Sequence, residues 1–309
     1  MLPLASATYG RASSAVRDGF LAAAAAANQQ AVVISHGDND VEAAFAQARD
    51  TGARVIVGPL VRDDVKAIAI LGIESPLVLA LNQVDEGVSL PANMFSLTLG
   101  VESDARQLAK LARDSGARTV AVIGVDTPLQ RRFAAAFAEA WMSQGGAAPI
   151  SLRFDRSPDT LVLLKRELAR NPVDATLLAV DGADAALVKP YVGAAPAYAG
   201  STINDRQPRE TLRELEDVHL VDIPWLVNPD AKEFASIAHP SLPNATLDRL
   251  YALGIDAFRV AQWLSEGRLD RIEFDGATGH LTLDATRQFV RESRVLQFKG
   301  GRMVPAGSP

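Results

Sequence analysis

Gly52-Ala53-Arg54-Val55-Ile56-Val57-Gly58 and Gly116-Ala117-Arg118-Thr119-Val120-Ala121-Val122-Ile123-Gly124 have the same layout: a helix stop, a short apolar strand, and a glycine at the strand's carboxyl end. Each strand is continuously apolar rather than alternating, the mark of a strand covered on both faces, as in parallel sheets layered with helices. Val32-Val33-Ile34 and Leu77-Val78-Leu79-Ala80 read the same way. Helical stretches separate them at Thr8 to Asn28, Val41 to Asp50 and Arg62 to Leu71. Strand alternating with helix is βαβ grammar.

The unit restarts near residue 100. Ala105, Leu108, Ala109, Leu111 and Ala112 form one stripe on a helix from Glu102 to Asp114, and Gly116 stands where a left-handed C′ residue belongs. Pro128 to Gln144 follows, with Thr127 or Asp126 as N-cap. Then come a strand at Ile150 to Phe154, a helix at Pro158 to Arg170, a strand at Ala175 to Val180, a short helix at Ala183 to Val188, and strands near Ala197 and Val218. A long amphipathic helix spans Thr246 to Glu266. Ile272 to Phe274 with His280 to Leu283, and Arg294 to Phe298 with Arg302 to Val304, read as β-hairpins. Residues 305–309 read as a frayed tail. The two similar halves fit either an internal duplication or the ordinary recurrence of αβ units.

Composition narrows the chemistry. The 309 residues are 48% hydrophobic and 22% charged, enough for one large domain or two smaller ones. A formal charge of −6 with no basic block argues against a nucleic-acid partner. The absence of cysteine removes disulfides, thiolate metal sites and cysteine nucleophiles, and the four histidines (His36, His219, His239, His280) make no HExxH pair. There is no GxGxxG after a strand, no GxxxxGK[ST], no GxSxG and no SxxK, so no catalytic, metal or cofactor residues are assigned. The longest apolar run, Leu21 to Ala27, is far short of the ~20 residues of a membrane span. Acids at Asp38, Asp40 and Glu42, and at Asp63 and Asp64, read as helix caps and first turns.

In an open α/β sheet, ligands sit beyond the carboxyl ends of the strands. The loops placed there hold Ser6, Gly58-Pro59-Leu60, Leu81-Asn82, Asp126-Thr127, Asp181 and Ser201-Thr202. The backbone of Ser6 and Leu60 and the hydroxyls of Ser6, Thr127, Ser201 and Thr202 could hold a small polar or anionic group. The alternative is that Ser6, Asp126 and Thr127 simply cap helices. Trp225 reads either as a cleft or partner contact or as hinge packing, and Arg17 with Asp18 either as a solvated or inter-element ion pair or as a ligand clamp.

Seven stretches in order carry a resemblance: Leu2-Pro3-Leu4, Val16-Arg17-Asp18-Gly19-Phe20, Val57-Gly58-Pro59-Leu60, Leu79-Ala80-Leu81-Asn82, Ile223-Pro224-Trp225-Leu226, the run from Leu250 to Arg259, and the run from Gly276 to Asp284. Together they resemble the C-terminal domain of the LpoA/LppC lipoprotein family, activators of bifunctional penicillin-binding proteins. The resemblance implies a type I periplasmic-binding-protein fold: two Rossmann-like lobes with parallel sheets and C-terminal β-hairpins. The lobes are expected at 1–97 plus 228–268 and at 98–227 plus 269–309. It also implies a non-enzymatic module that stimulates a peptidoglycan synthase by contact, with the parent protein periplasmic and anchored to the outer membrane. The competing expectation is a solute-binding protein whose interlobe cleft holds a small amino-acid-like or peptidoglycan-derived ligand. The loop Leu81-Asn82-Gln83 departs from the Ser or Thr with which amino-acid-binding relatives of the fold grip a carboxylate. Since the resemblance places residue 2 inside the first strand, the chain is expected to be a fragment whose parent supplies a signal, a lipidated cysteine and a further domain.

Overall fold

The computed structural model describes residues 1–72, 74–83, 89–206, 208–269 and 272–306. The chain divides into two compact units, Met1–Leu99 with Ile223–Arg291, and Gly100–Asp222 with Glu292–Pro309. It passes from one to the other three times.

Unit 1 begins with α1 (Gly10–Ala26), α2 (Val41–Asp50), β1 (Val55–Val57), α3 (Arg62–Ile70), β2 (Leu77–Ala80) and β3 (Met94–Ser96). The three strands form a parallel sheet in the order β1-β2-β3. β3 has no sequence signature beyond three apolar or small residues, all buried, and was not expected. The expected strand Val32-Val33-Ile34 does not form. Only an isolated parallel bridge, Leu2 to Ser35, stands there, and Val32 and Val33 are 70% and 42% exposed. β-branched residues fit a pleated sheet, but a strand exists only where neighbouring chain supplies partners.

The chain then builds unit 2: α4 (Val101–Asp114), β4 (Val120–Gly124), α5 (Pro128–Ser143), β5 (Ile150–Arg153), α6 (Pro158–Arg170), β6 (Ala175–Ala179), α7 (Gly182–Val188), β7 (Ala197–Ala199), α8 (Arg209–Glu214) and β8 (Val218–Asp222). Gly116, after α4, has φ +89°, the left-handed value its position requires. Thr127, Ser157 and Asp181 cap α5, α6 and α7, each side chain accepting from the backbone N–H three residues on. α4 and α5 pack Leu108, Ala109, Phe133, Phe137 and Trp141 against Val122, Leu177, Tyr198 and Val221 of the sheet. Trp141 is fully buried and donates from Nε1 to Ala147 O at 2.9 Å. Truncating such a side chain costs about 3–5 kcal/mol.

Returning to unit 1, the chain forms α9 (Pro224–Val227), α10 (Ala245–Ser265), and β9 (Glu273–Asp275), β10 (His280–Leu283) and β11 (Phe289–Glu292), with β9 and β10 an antiparallel hairpin. α10 lies against α1 without side chains between them at two points. A Cβ on Gly254 would come within 2.0 Å of Val16 O, and one on Gly19 within 1.9 Å of Tyr251 O. Phe20 and Phe258 meet edge to face beside that crossing, 5.4 Å between centroids.

β12 (Arg294–Lys299) and β13 (Arg302–Pro305) complete the sheet of unit 2. Its order is β13-β12-β8-β7-β6-β4-β5, with β12 antiparallel to both its neighbours and the other pairs parallel. The Arg294 hairpin is therefore part of this sheet. Pro305 ends β13, and the rest of the tail read as frayed is described only at Ala306, since residues 307–309 lie outside the described residues.

The unit boundaries differ from the expected 1–97 plus 228–268 and 98–227 plus 269–309. Ile223 and Trp225 pack with Tyr251, Ala252 and Phe258 of α10. Ile272, Leu281 and Phe289 pack with Leu253, Ala257 and Val260. Residues 223–227 and the hairpin after α10 therefore join unit 1 with that helix. Among the described residues, no helix is long and apolar enough to cross a membrane.

Candidate functional site

The predicted ligand-facing residues fall in both units, with Ser6, Gly58, Pro59, Leu60, Leu81, Asn82 and Trp225 in unit 1 and Asp126, Thr127, Asp181, Ser201 and Thr202 in unit 2. Gly58, Pro59 and Leu60 follow the carboxyl end of β1, and Leu81 and Asn82 that of β2. Gly58 leaves β1 at φ +101°, and a Cβ there would come within 1.9 Å of Met1 O, so the turn admits only glycine. Leu81 N donates to Pro59 O at 2.8 Å, and Asn82 Nδ2 donates to Leu60 O at 3.0 Å, tying the β1 and β2 loops together. Asn82 Oδ1 accepts from Gln83 N at 3.0 Å. Ser6 Oγ accepts from Thr8 N at 3.2 Å and Tyr9 N at 3.0 Å, an ST turn leading into α1, which starts at Gly10 rather than Thr8. Leu60 and Leu81 point into the core, 8% and 2% exposed.

Trp225 is also a core residue. It is 4% exposed, stacks on His239 with centroids 3.8 Å apart, and meets Phe234 and Tyr251 at 5.3 and 5.5 Å. Its ring packs inside unit 1, among Phe234, Ile237 and Tyr251.

In unit 2, Thr127 Oγ1 accepts from Gln130 N at 3.3 Å, while Gln130 Nε2 donates to Thr202 Oγ1 at 3.3 Å. Asp126 pairs with Arg131, and that bond with the adjacent cation lowers its pKa. Asp181 caps α7 through Asp184 N at 2.9 Å and receives Arg156 Nη2 at 3.3 Å. Ser201 Oγ donates to Asp104 Oδ2 at 3.3 Å, deep in the unit, where Ser293 Oγ donates to the other oxygen at 3.0 Å. The recess lined by Asp104, Gln130, Phe133, Ser201 and Thr202 has no room for a water molecule.

Asp40 occupies the N-cap position of α2 but its side chain makes no capping bond. Asp63 and Asp64 lie in the first turn of α3, with Asp64 buried and its pKa raised, chiefly by that burial. Glu273 and Asp275 hold His280 between them at 3.2 and 3.1 Å, raising its pKa. Arg17 and Asp18 pair at 2.7 Å on the surface of α1, as expected. Among the described residues, no group of three or more His, Asp or Glu could hold a metal ion.

Two polar centres escaped the sequence reading. One is Asp256, fully buried on α10, which accepts from Ala277 N at 2.8 Å and from Thr278 N and Oγ1 at 2.7 Å each. Burial is the largest influence on its carboxyl and raises the pKa, against the opposing pull of Arg259 and these bonds. Ala277 O in turn accepts from Trp225 N at 3.1 Å. The 223, 250 and 276 stretches of the resemblance thus converge on one junction. An aspartate inside an apolar helical stripe was the available signal. The second is Arg156, at a left-handed φ of 67°, whose Nε and Nη2 donate to the two oxygens of Asp184 at 2.7 and 2.9 Å.

The family profile described as "LppC putative lipoprotein" matches residues 1–301. Among curated proteins, the penicillin-binding protein activator LpoA of Escherichia coli (strain K12) is 27% identical over 308 residues, covering 84% of this chain and 45% of the relative. LpoA of Edwardsiella piscicida is 28% identical, covering 85% and 44%. The chain thus spans less than half the length of these relatives. Among solved structures, the LpoA (YraM) C-domain from Haemophilus influenzae, described as a regulator of PBP1A, superposes with a TM-score of 0.83 at 23% identity, covering 99% of this chain and 98% of that one. A "putative branched-chain amino acid ABC transporter" chain from Chromobacterium violaceum gives 0.82 at 32% identity, covering 95% and 97%. The fold is therefore that of the LpoA C-domain and of proteins built like type I periplasmic binding proteins.

Proposed function

The chain belongs to the LppC lipoprotein family, and from that premise we propose that it is a non-enzymatic module that stimulates a bifunctional penicillin-binding protein through protein contact. The observation that carries this reading is the family match over residues 1–301 together with relatives named as activators of penicillin-binding proteins. The loop side chains support it. Ser6, Asn82, Thr127 and Asp181 spend their hydrogen-bonding groups on holding their own loops, which suits a rigid surface that presents a shape to a partner. In this reading the module works in the periplasm, as part of a longer lipoprotein held at the outer membrane. The test is a pull-down and a transpeptidation assay with the partner synthase, using the full-length lipoprotein. Binding and faster cross-linking are expected, and failure of both removes the proposal.

A second reading has its own support in the 32% identity to the transporter-associated chain, which matches this one along nearly its whole length. In that reading the chain takes a small amino-acid-like or peptidoglycan-derived ligand. A bound ligand at a hundredfold excess over its Kd stabilises by about 2.7 kcal/mol. A thermal shift with amino acids or muropeptides would favour this reading, and a flat response across both sets would remove it.

A further inference from the structure

His36 is a buried histidine, 4% exposed, in the segment leading into α2. Its backbone is tied on both sides, N donating to Leu2 O at 3.2 Å and O accepting from Ala5 N at 3.1 Å. Its ring is tied by one bond. Nδ1 lies 2.8 Å from Gly37 O, and a carbonyl oxygen can only accept, so Nδ1 carries the hydrogen and the neutral ring presents a bare lone pair at Nε2. Nε2 is shut off from water and has no hydrogen-bond partner among the described residues. A buried acceptor without a donor destabilises a fold, and native structures keep few of them.

Four carboxylates lie close by with the same shortage of donors. Asp64, in the first turn of α3, is 8% exposed, and of the charges acting on it the His36 ring is the strongest, ahead of Asp63 and Asp38. Asp40 leans over Gly37, where a Cβ would come within 3.1 Å of its Oδ2. Asp38, Asp40 and Asp63 are exposed. Among the described residues, none of these four side chains takes a hydrogen bond or an ion pair. The dipoles of α2 and α3 favour acids at their amino ends, yet that favour does not extend to an imidazole acceptor among them.

Every unmet group here is an acceptor, and the surrounding charge is negative. The same side chains are not grouped in threes for a metal ion. A primary ammonium has three hydrogens, no lone pair and a compact positive charge. We propose that His36 Nε2 and the Asp64 carboxylate, with Asp38 and Asp63 at the rim, form a site for the primary ammonium group of a small amine. Nε2 and Asp64 take its hydrogens, and the rim acids offset its charge. Asp64 gains most, because burial disfavours its charged form and a bound cation relieves that. None of the loop residues in the two readings above belongs to this site, so it stands or falls apart from them.

The test follows the ring nitrogens of His36 by 15N NMR in mildly alkaline solution while ethylammonium is added at constant ionic strength. Before addition, hydrogen is expected on Nδ1 and none on Nε2. Ethylammonium is expected to move the Nε2 signal and to saturate at about 1 mM or above, near the ceiling for so small a ligand. Asp64→Asn should weaken that response by about tenfold or more, and Asp63→Asn at the rim by about fivefold or less. Tetramethylammonium, which has the charge but no N–H, should leave the signal in place. A ring with its hydrogen on Nε2, no shift with ethylammonium, an equal shift with tetramethylammonium, or an undiminished response in folded Asp64→Asn would each overturn the proposal. A response to zinc or calcium chloride in place of ethylammonium would overturn it too, in favour of a metal site. If Asp64→Asn does not fold, the titration of the unaltered chain and of Asp63→Asn decides the matter alone.

Discussion

Asp256 in unit 1 and Asp155 in unit 2 do the same job in opposite surroundings. Each holds a loop by accepting from a backbone N–H and a threonine hydroxyl: Ala277, Thr278 and the Thr278 hydroxyl for Asp256, Ser157 and the Thr160 hydroxyl for Asp155. Asp256 is fully buried, so desolvation dominates and its pKa rises. Asp155 is open to water, so its hydrogen bonds dominate, Thr160 foremost, and its pKa falls to about 2. Burial, more than the bonds, decides the sign. It also decides what each loses on mutation, since a buried donor stripped of its acceptor cannot turn to water.

The largest effect should come from Asp256→Ala, which strands two backbone N–H groups and leaves Arg259 facing no carboxylate. About 3–5 kcal/mol of stability should be lost in chemical denaturation. A loss below about 1 kcal/mol would erase the contrast with the exposed site. Gly254→Ala comes next, because its methyl group would meet the backbone of α1 at Val16 and force the helices apart. About 3 kcal/mol is expected, and a well-tolerated alanine would show that the α1–α10 contact yields easily.

Acid should separate the two units. A carboxylate with a depressed pKa contributes stability above its unfolded value of 3.8, lost as pH falls through the folded value; Asp155, Asp126 and Asp174 act this way in unit 2. Asp256 and Asp64 in unit 1 are raised, so the folded state takes a proton first and their contribution grows as pH falls toward 3.8. Between about pH 5 and about pH 2, hydrogen exchange should report unit 2 opening ahead of unit 1, and the reverse order would break the comparison. The smallest effect belongs to Arg131→Ala. Removing the exposed partner of Asp126 should leave Tm unchanged within measurement, since surface pairs contribute little. A clear drop would give the exposed charges a weight the buried site was thought to hold alone.

What the sequence revealed follows the range of the forces involved. α2 and α6 match their expected limits, Val41–Asp50 and Pro158–Arg170, because caps, stops and apolar spacing are local. The capping role of Thr127 is legible for the same reason. Val32-Val33-Ile34 was misread because strand formation depends on neighbours, and local preference for extended backbone says nothing of whether they are present. β3 was missed because three residues carry no period. Leu60, Leu81 and Trp225 were placed by loop position, yet loop position does not say which way a side chain turns, and all three are buried. Asp256 was legible only as an aspartate in an apolar stripe, because its partners lie more than twenty residues along the chain.

The three passages of the chain between units have a consequence in time. β12 and β13, from residues 294–305, complete a sheet whose first strand begins at residue 120. α10, which carries the crossing with α1, arrives only after residue 244. A chain emerging amino end first, from a ribosome or a translocation channel, would finish neither unit until β11 and β13 were out. Contacts this distant in sequence slow folding. Apolar strands waiting for late partners also draw on chaperones. Assembly in this protein is a closing event rather than a progressive one.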